Sequence, residues 1–340
     1  MSLGHLPKRV FITGASGFIG QQLMQRYRAL GCEVRGMDLL ADPSQSIVGA
    51  DLCQPEQWAP HVKDCELFIH TAAVVSLAAD WEEYRRISVQ GVSHALDVAQ
   101  RAGCQRFVHF SSILAMGCNY PDGADETWPV VIGKHCRYGV AKGASEHLVL
   151  AAHAQGRLDC CIIRPGDVYG PGSRAWLLEP LKMARAGRLL LPDGGNGVFT
   201  PVYIDDLVDG TLLAAHSEIA SGQIYILWGE EAVSCRRFFG HHWRWAGRKG
   251  SPPSLPSSVA LPLARLVQTL NHLRGKRDET CPDTIRMFNR GGGFDGSKAR
   301  DQLGYRPKIS LAEGMRRSEQ WLRDSGQLYA EISTIGDKSP

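Results

Sequence analysis

Apolar residues along the first two thirds of the chain alternate between short unbroken blocks and stripes at helical spacing. Arg9-Val10-Phe11-Ile12-Thr13 is a block too short for a helix and reads as a buried strand. Residues 18–30 carry a helical stripe, and residues 31–37 supply a turn and a second strand. Further blocks at 46–50, 67–70, 106–111 and 159–164 predict strands, with helices over 84–102 and 138–155 between them. Residues 223–227 predict one more strand. Strands apolar on both sides, separated by helices, predict an α/β fold: a doubly wound parallel sheet covered on both faces.

The rhythm changes after about residue 170. Asp193-Gly194-Gly195-Asn196-Gly197 is a turn cluster, residues 250–258 form a proline-rich connector, and Arg290-Gly291-Gly292-Gly293 is another break. Val259, Leu263, Leu266, Leu270 and Leu273 recur at helical spacing, in a segment that also holds Pro262 and Arg265. That stripe predicts an amphipathic helix packed on its own domain. A membrane-surface helix would want more basic residues. The expected division is a nucleotide-binding domain over 1–170 with returns near 202–228, a smaller, mostly helical substrate-binding part over 171–201 and 229–330, and a tail at 331–340.

Composition narrows the function without naming it. The 340 residues are enough to bury a core, and 44% hydrophobic with 21% charged is ordinary for a globular protein. A net charge of +3 with no Lys/Arg block gives no footing for nucleic acid. No apolar run approaches the ~20 residues that cross a bilayer, so no integral membrane segment is expected. Ten cysteines without paired spacing, and no apparent signal segment, predict reduced thiols in the cytoplasm and no metal site.

Two motifs carry chemistry. Thr13-Gly14-Ala15-Ser16-Gly17-Phe18-Ile19-Gly20 joins a predicted strand to a predicted helix, the context in which glycines let backbone approach a pyrophosphate. Asp38 ends the second strand 18 residues beyond Gly20. A carboxylate there accepts bonds from both ribose hydroxyls and repels a 2′-phosphate, which favours NAD over NADP. Leu39 follows, where an arginine would welcome that phosphate. The second motif, Tyr138-Gly139-Val140-Ala141-Lys142, sets a phenol and an ammonium on one helix face.

With these two motifs, Ala50-Asp51-Leu52, His70-Thr71-Ala72-Ala73, Ser111-Ser112 and Arg164-Pro165-Gly166-Asp167-Val168-Tyr169 occur in order. The series continues through Val202-Tyr203-Ile204-Asp205-Asp206-Leu207, Phe294-Asp295-Gly296-Ser297-Lys298-Ala299-Arg300 and Leu303-Gly304-Tyr305-Arg306-Pro307. The ensemble resembles the extended short-chain dehydrogenase/reductase family, also described as the NAD-dependent epimerase/dehydratase superfamily, over roughly residues 8–325. The stretch from Asp125 to Tyr138 is similar to its 3β-hydroxysteroid dehydrogenase-like branch.

The resemblance implies a Rossmann-type sheet and an oxidoreductase, epimerase or dehydratase. Gly14, Ser16, Gly17, Phe18, Ile19, Gly20 and Asp38 would hold the cofactor, Asp51 and Leu52 the adenine. Ala72 and Ala73 would line the pyrophosphate and ribose, with Pro165 and Val168 near the nicotinamide. Tyr138 would move the proton, and Lys142 would lower the phenol pKa and hold the cofactor ribose. Ser112 would bond the substrate oxygen, with Ser111 as the alternative. A homodimer through residues 84–102 and 138–155 is also implied.

Two departures and three histidines complete the picture. Ser88-Val89-Gln90-Gly91 stands where many members carry Asn before Val-x-Gly. Phe199 occupies the place of an arginine that clamps pyrophosphate in nucleotide-sugar members, although Arg174, Arg185 or Arg188 offer substitutes. His109, His135 and His147 read as surface or packing residues. The lost clamp, with Trp176, Leu177, Leu178, Phe199, Trp228, Phe238 and Phe239 as pocket candidates, favours a bulky apolar secondary alcohol or ketone. A nucleotide-sugar epimerase or dehydratase with tightly bound NAD is the alternative, and a non-catalytic dinucleotide sensor is third.

Overall fold

A computed structural model describes residues 6–133, 136–275 and 279–328. Seven strands, β1 (Arg9–Thr13), β2 (Glu33–Asp38), β3 (Ile47–Gly49), β4 (Leu67–His70), β5 (Arg106–Phe110), β6 (Asp159–Pro165) and β7 (Ile224–Leu227), form one sheet. Their order is β3-β2-β1-β4-β5-β6-β7, with every pair parallel. Burial explains the composition of the middle strands, since all four residues of β4 and the last four of β1 and β5 are inside. Strand order reverses between β1 and β4, and a crevice opens at their carboxyl ends.

Helices α1 (Phe18–Ala29), α2 (Gly91–Arg101) and α3 (Arg137–Ala154) are among those that cover the sheet. The helix expected over 84–102 departs from plan. It opens with one turn at Trp81–Glu83 and runs through a π-helical segment, Tyr84–Gln90, before α2 begins. Ser88 lies in that wider segment, and its hydroxyl accepts from the Val74 N–H at 3.2 Å. The position that often carries asparagine is thus spent on tethering the loop after β4.

Past β6 the chain adds short pairings that no run of hydrophobic residues announces. Asp167–Tyr169 pairs with Pro201–Tyr203, Val198–Phe199 with Val233–Ser234, and Leu191–Pro192 with Ser254–Leu255 from the proline-rich connector. Helices Cys235–Trp245, Ser257–Leu273, Pro282–Met287, Ser297–Leu303 and Leu311–Asp324 follow. The Asp206 carboxylate accepts from the N–H groups of Lys308 and Ile309 at 2.8 and 3.0 Å, tying the C-terminal segment back to the body.

The helix Ser257–Leu273 corrects one expectation. Only Ala260 and Ala264 are buried along it, while Val259, Leu263, Leu266, Leu270 and Leu273 face outward. The small residues make the close contact and leave the large ones in solvent.

Candidate active site

The glycine turn is built so that backbone, not side chain, lines the crevice. Gly14 has φ +68°, and a Cβ there would stand 2.8 Å from the Ala72 nitrogen. A Cβ on Gly20 would meet the Gly14 carbonyl oxygen at 2.1 Å, so α1 can approach β1 this closely only as glycine. Gly17 caps α1 without a side-chain bond, and no acidic residue sits in the first turn. The helix therefore presents N–H donors and its positive end to the crevice. Ser16 and Gly17 are exposed there, with Phe18 and Ile19 partly so.

Asp38 stands beside this turn. Its carboxylate accepts from the Ser16 N–H at 2.9 Å and the Leu39 N–H at 2.7 Å. Ala72 and Ala73, partly exposed, follow β4 on the other side of β1, with the Ala72 N–H pointing at the Thr13 hydroxyl at 3.4 Å. Asp51 accepts from the Cys53 N–H and from Arg86, both at 2.9 Å, and these bonds hold its carboxyl below the usual range. Leu52 is buried against Gly91. Pro165 closes β6, and Val168 follows in the next short strand. An acidic residue beside the turn, the N-terminus of α1 at the turn and small residues between the strands fit a dinucleotide.

The polar triad assembles at the ends of β5 and α3. Ser112 is nine-tenths buried, its hydroxyl accepts from the Leu114 N–H at 3.1 Å, and it stands near enough to the Tyr138 phenol to favour its phenolate. Gly139 makes this closeness possible, because a Cβ there would stand 2.1 Å from the Leu114 carbonyl oxygen. Lys142 is buried and donates to the Phe110 carbonyl at 2.7 Å, with Nζ 5.9 Å from the centre of the Tyr138 ring. Ser111 points elsewhere: its hydroxyl donates to Glu146, which also pairs in bidentate fashion with buried Arg164 at 2.8 and 2.7 Å.

Burial pushes the Tyr138 phenol up to about 12, opposed by the Ser112 hydroxyl, so the resting phenol holds its proton. The Lys142 ammonium is turned to the Phe110 carbonyl and is itself pulled down to about 8 by burial, against the pull of Glu146. His109 is a packing residue, bonded to Ser145 at 2.9 Å and stacked on His70, while His147 is exposed. His135 lies outside the described residues.

Around the phenol the walls are apolar. Leu114, Cys136 and Met287 form a buried cluster against which Tyr138, Leu77, Cys118, Trp176 and Phe288 pack. Val74, Ala79 and Tyr84 close the other side, with the Tyr84 ring edge-on to Tyr138. Trp176 is the one pocket candidate from the sequence that belongs to this collar. Phe199, Phe238, Phe239 and Leu177 are core, and Trp228 is buried against Phe294. Met287, Phe288 and Leu77 had no signal in the sequence, because a C-terminal helix and the loop after β4 meet only in the folded chain.

Arg174 projects into solvent next to Glu179, Arg185 bonds the Gln327 carbonyl, and Arg188 is exposed. Arg290, read in the sequence only as part of a chain break, is buried and paired with Asp167 at 2.5 Å.

Comparison with known proteins adds the following. The model of the NAD dependent epimerase/dehydratase family matches residues 10–227. A 3beta-hydroxysteroid-dehydrogenase/decarboxylase (isoform 1) of Arabidopsis thaliana is 28% identical over 80% of this chain, which spans 65% of that protein's length. A 3-beta-hydroxysteroid dehydrogenase of Mycolicibacterium neoaurum is 29% identical over 90% of this chain and 89% of its own. Among solved structures, MoeE5 in complex with UDP-glucose and NAD superposes with a TM-score of 0.75 at 24% identity, covering 93% of this chain and 99% of that one.

Proposed function

The chain belongs to the NAD dependent epimerase/dehydratase family, and from that premise we propose that it transfers hydride between NAD and a bulky, largely apolar secondary alcohol or the matching ketone. The observation that carries this reading is the apolar collar around Tyr138, whose polar feature is the Ser112 hydroxyl. Such a pocket suits a substrate with one oxygen to recognise and hydrocarbon elsewhere. Two relatives named for 3β-hydroxysteroid dehydrogenation support it.

In this reading Tyr138 exchanges a proton with the substrate oxygen, and Ser112 orients that oxygen. Lys142 holds the nicotinamide ribose and biases the phenol toward phenolate once that site is filled. The glycine turn, Asp51, Leu52, Ala72, Ala73, Pro165 and Val168 hold the dinucleotide, which when bound supplies the hydride acceptor or donor. Asp38 selects NAD over NADP, because a carboxylate repels a 2′-phosphate. Residues 171–201 and 229–330 shape the substrate side, and residues 1–170 with the returns near 202–228 the cofactor side. The protein would act in the cytoplasm, as a homodimer through the helices that carry Tyr84 and Tyr138.

The test is NADH formation from NAD⁺ with hydroxysteroids and long-chain secondary alcohols, against UDP- and GDP-sugars. Steady NADH with an apolar alcohol is the expected result. Silence there, with sugar conversion and no NADH release, would replace this reading with a nucleotide-sugar epimerase or dehydratase.

A further inference from the structure

The outward stripe of the helix Ser257–Leu273 is left unused by the active site. Val259, Leu263, Leu266, Leu270 and Leu273 are 50%, 42%, 56%, 41% and 77% exposed, although all lie on one face. The opposite face rests on Pro282–Met287 through Ala260 and Ala264. Five large aliphatic side chains in a row form the kind of patch that soluble monomers rarely leave in water.

Charge says what covers it. Residues 232–277 contain nine Lys and Arg and no Asp or Glu. Four of the nine lie on or just after this helix: Arg265, Arg274, Lys276 and Arg277. At 100° per residue Arg265 and Arg274 fall on opposite flanks of the stripe, and both are exposed. The helix itself carries no Asp or Glu, so a second copy packed along it would set these cations against each other, where paired helices use opposite charges. An anionic surface meets them with the complementary sign.

We propose that this face docks on an anionic lipid bilayer, the helix lying in the plane of the headgroups. The five aliphatic residues enter the acyl boundary and the flanking cations meet lipid phosphates. The helix is about 25 Å long at 1.5 Å per residue and lies on the membrane rather than across it. No described helix is long and apolar enough to cross one. From the same helix Leu261 lines a cavity of about 260 Å³ with Cys118, Asn119, Ile285, Arg286 and Asn289. Cys118 also packs against the collar around Tyr138, so the helix backs onto the cleft by the side turned away from the stripe. Docking needs only this helix face, and it stands whichever substrate the enzyme takes.

The test is sedimentation of the full chain with phosphatidylcholine vesicles containing roughly 30% phosphatidylglycerol, against pure phosphatidylcholine. Binding to the anionic vesicles, weakened by high salt, is expected. The pair Leu266→Glu/Leu270→Glu should cut partitioning about tenfold or more while circular dichroism and NAD binding stay as in the parent. Arg265→Gln/Arg274→Gln should weaken anionic binding alone and leaves the apolar stripe intact. No sedimentation with either vesicle, or undiminished binding by the glutamate pair, would overturn the proposal. So would light scattering that shows a dimer which the glutamate pair breaks, with no vesicle binding.

Discussion

Lys142→Met measures what the fold pays to keep an ammonium in its interior. Lys142 is 4% exposed, and burial pulls it from 10.5 down to about 8. Between those two values the unfolded chain binds more protons than the folded one, so the parent gains stability as pH rises through the window. At about 1.4 kcal/mol per pH unit the whole span amounts to roughly 3 kcal/mol. Below pH 8 both states are charged and the penalty stands in full. Methionine of similar length removes the slope. It also strips the Phe110 carbonyl of its donor, a loss of about 1–3 kcal/mol that does not vary with pH. The difference in slope is therefore the readout, since the cysteines and tyrosines that titrate in this range are common to both proteins. Urea unfolding of NAD-free protein at pH 7 and pH 10, followed by tryptophan fluorescence, gives the comparison. Stability difference curves that stay parallel across the two pH values would show that Lys142 does not carry a buried charge, and the electrostatic account of the site would fall with it.

Other outcomes follow from the same geometry. Tyr138→Phe should abolish turnover while NAD affinity, read by calorimetry, stays within a few-fold; retained turnover would remove the phenol from the chemistry. Asp38→Ala should weaken NAD binding more than NADP binding, and an equal loss would reject its role at the ribose. Gly20→Ala forces a methyl against the Gly14 carbonyl; overpacking of this kind costs about 1–3 kcal/mol and should lower both Tm and NAD affinity. Glu146→Ala leaves the Arg164 guanidinium buried without its carboxylate, so a loss of about 3–5 kcal/mol is expected in chemical unfolding. A change under ~1 kcal/mol would mean that water reaches the pair.

The sheet was legible because its signal is local. Strands apolar along their whole length, such as Leu67–His70, can sit only between two layers, and the glycine turn after Thr13 marks where the first one ends. The Tyr138 and Lys142 pair was legible for the same reason, since four residues on a helix place two side chains on one face whatever surrounds them. Long-range contacts decided the rest. Which serine faces the phenol depends on Glu146 capturing Ser111, and the direction of the phenol's pKa depends on how deeply the fold buries it. Phe199 reads equally as pocket or core until Phe238 and Phe239 close over it. Periodicity found the leucine stripe at 259–273 but not its direction, because a stripe states that one face is apolar and not what it meets. Only the tertiary structure, by seating Ala260 and Ala264 inward, turned that face to the outside.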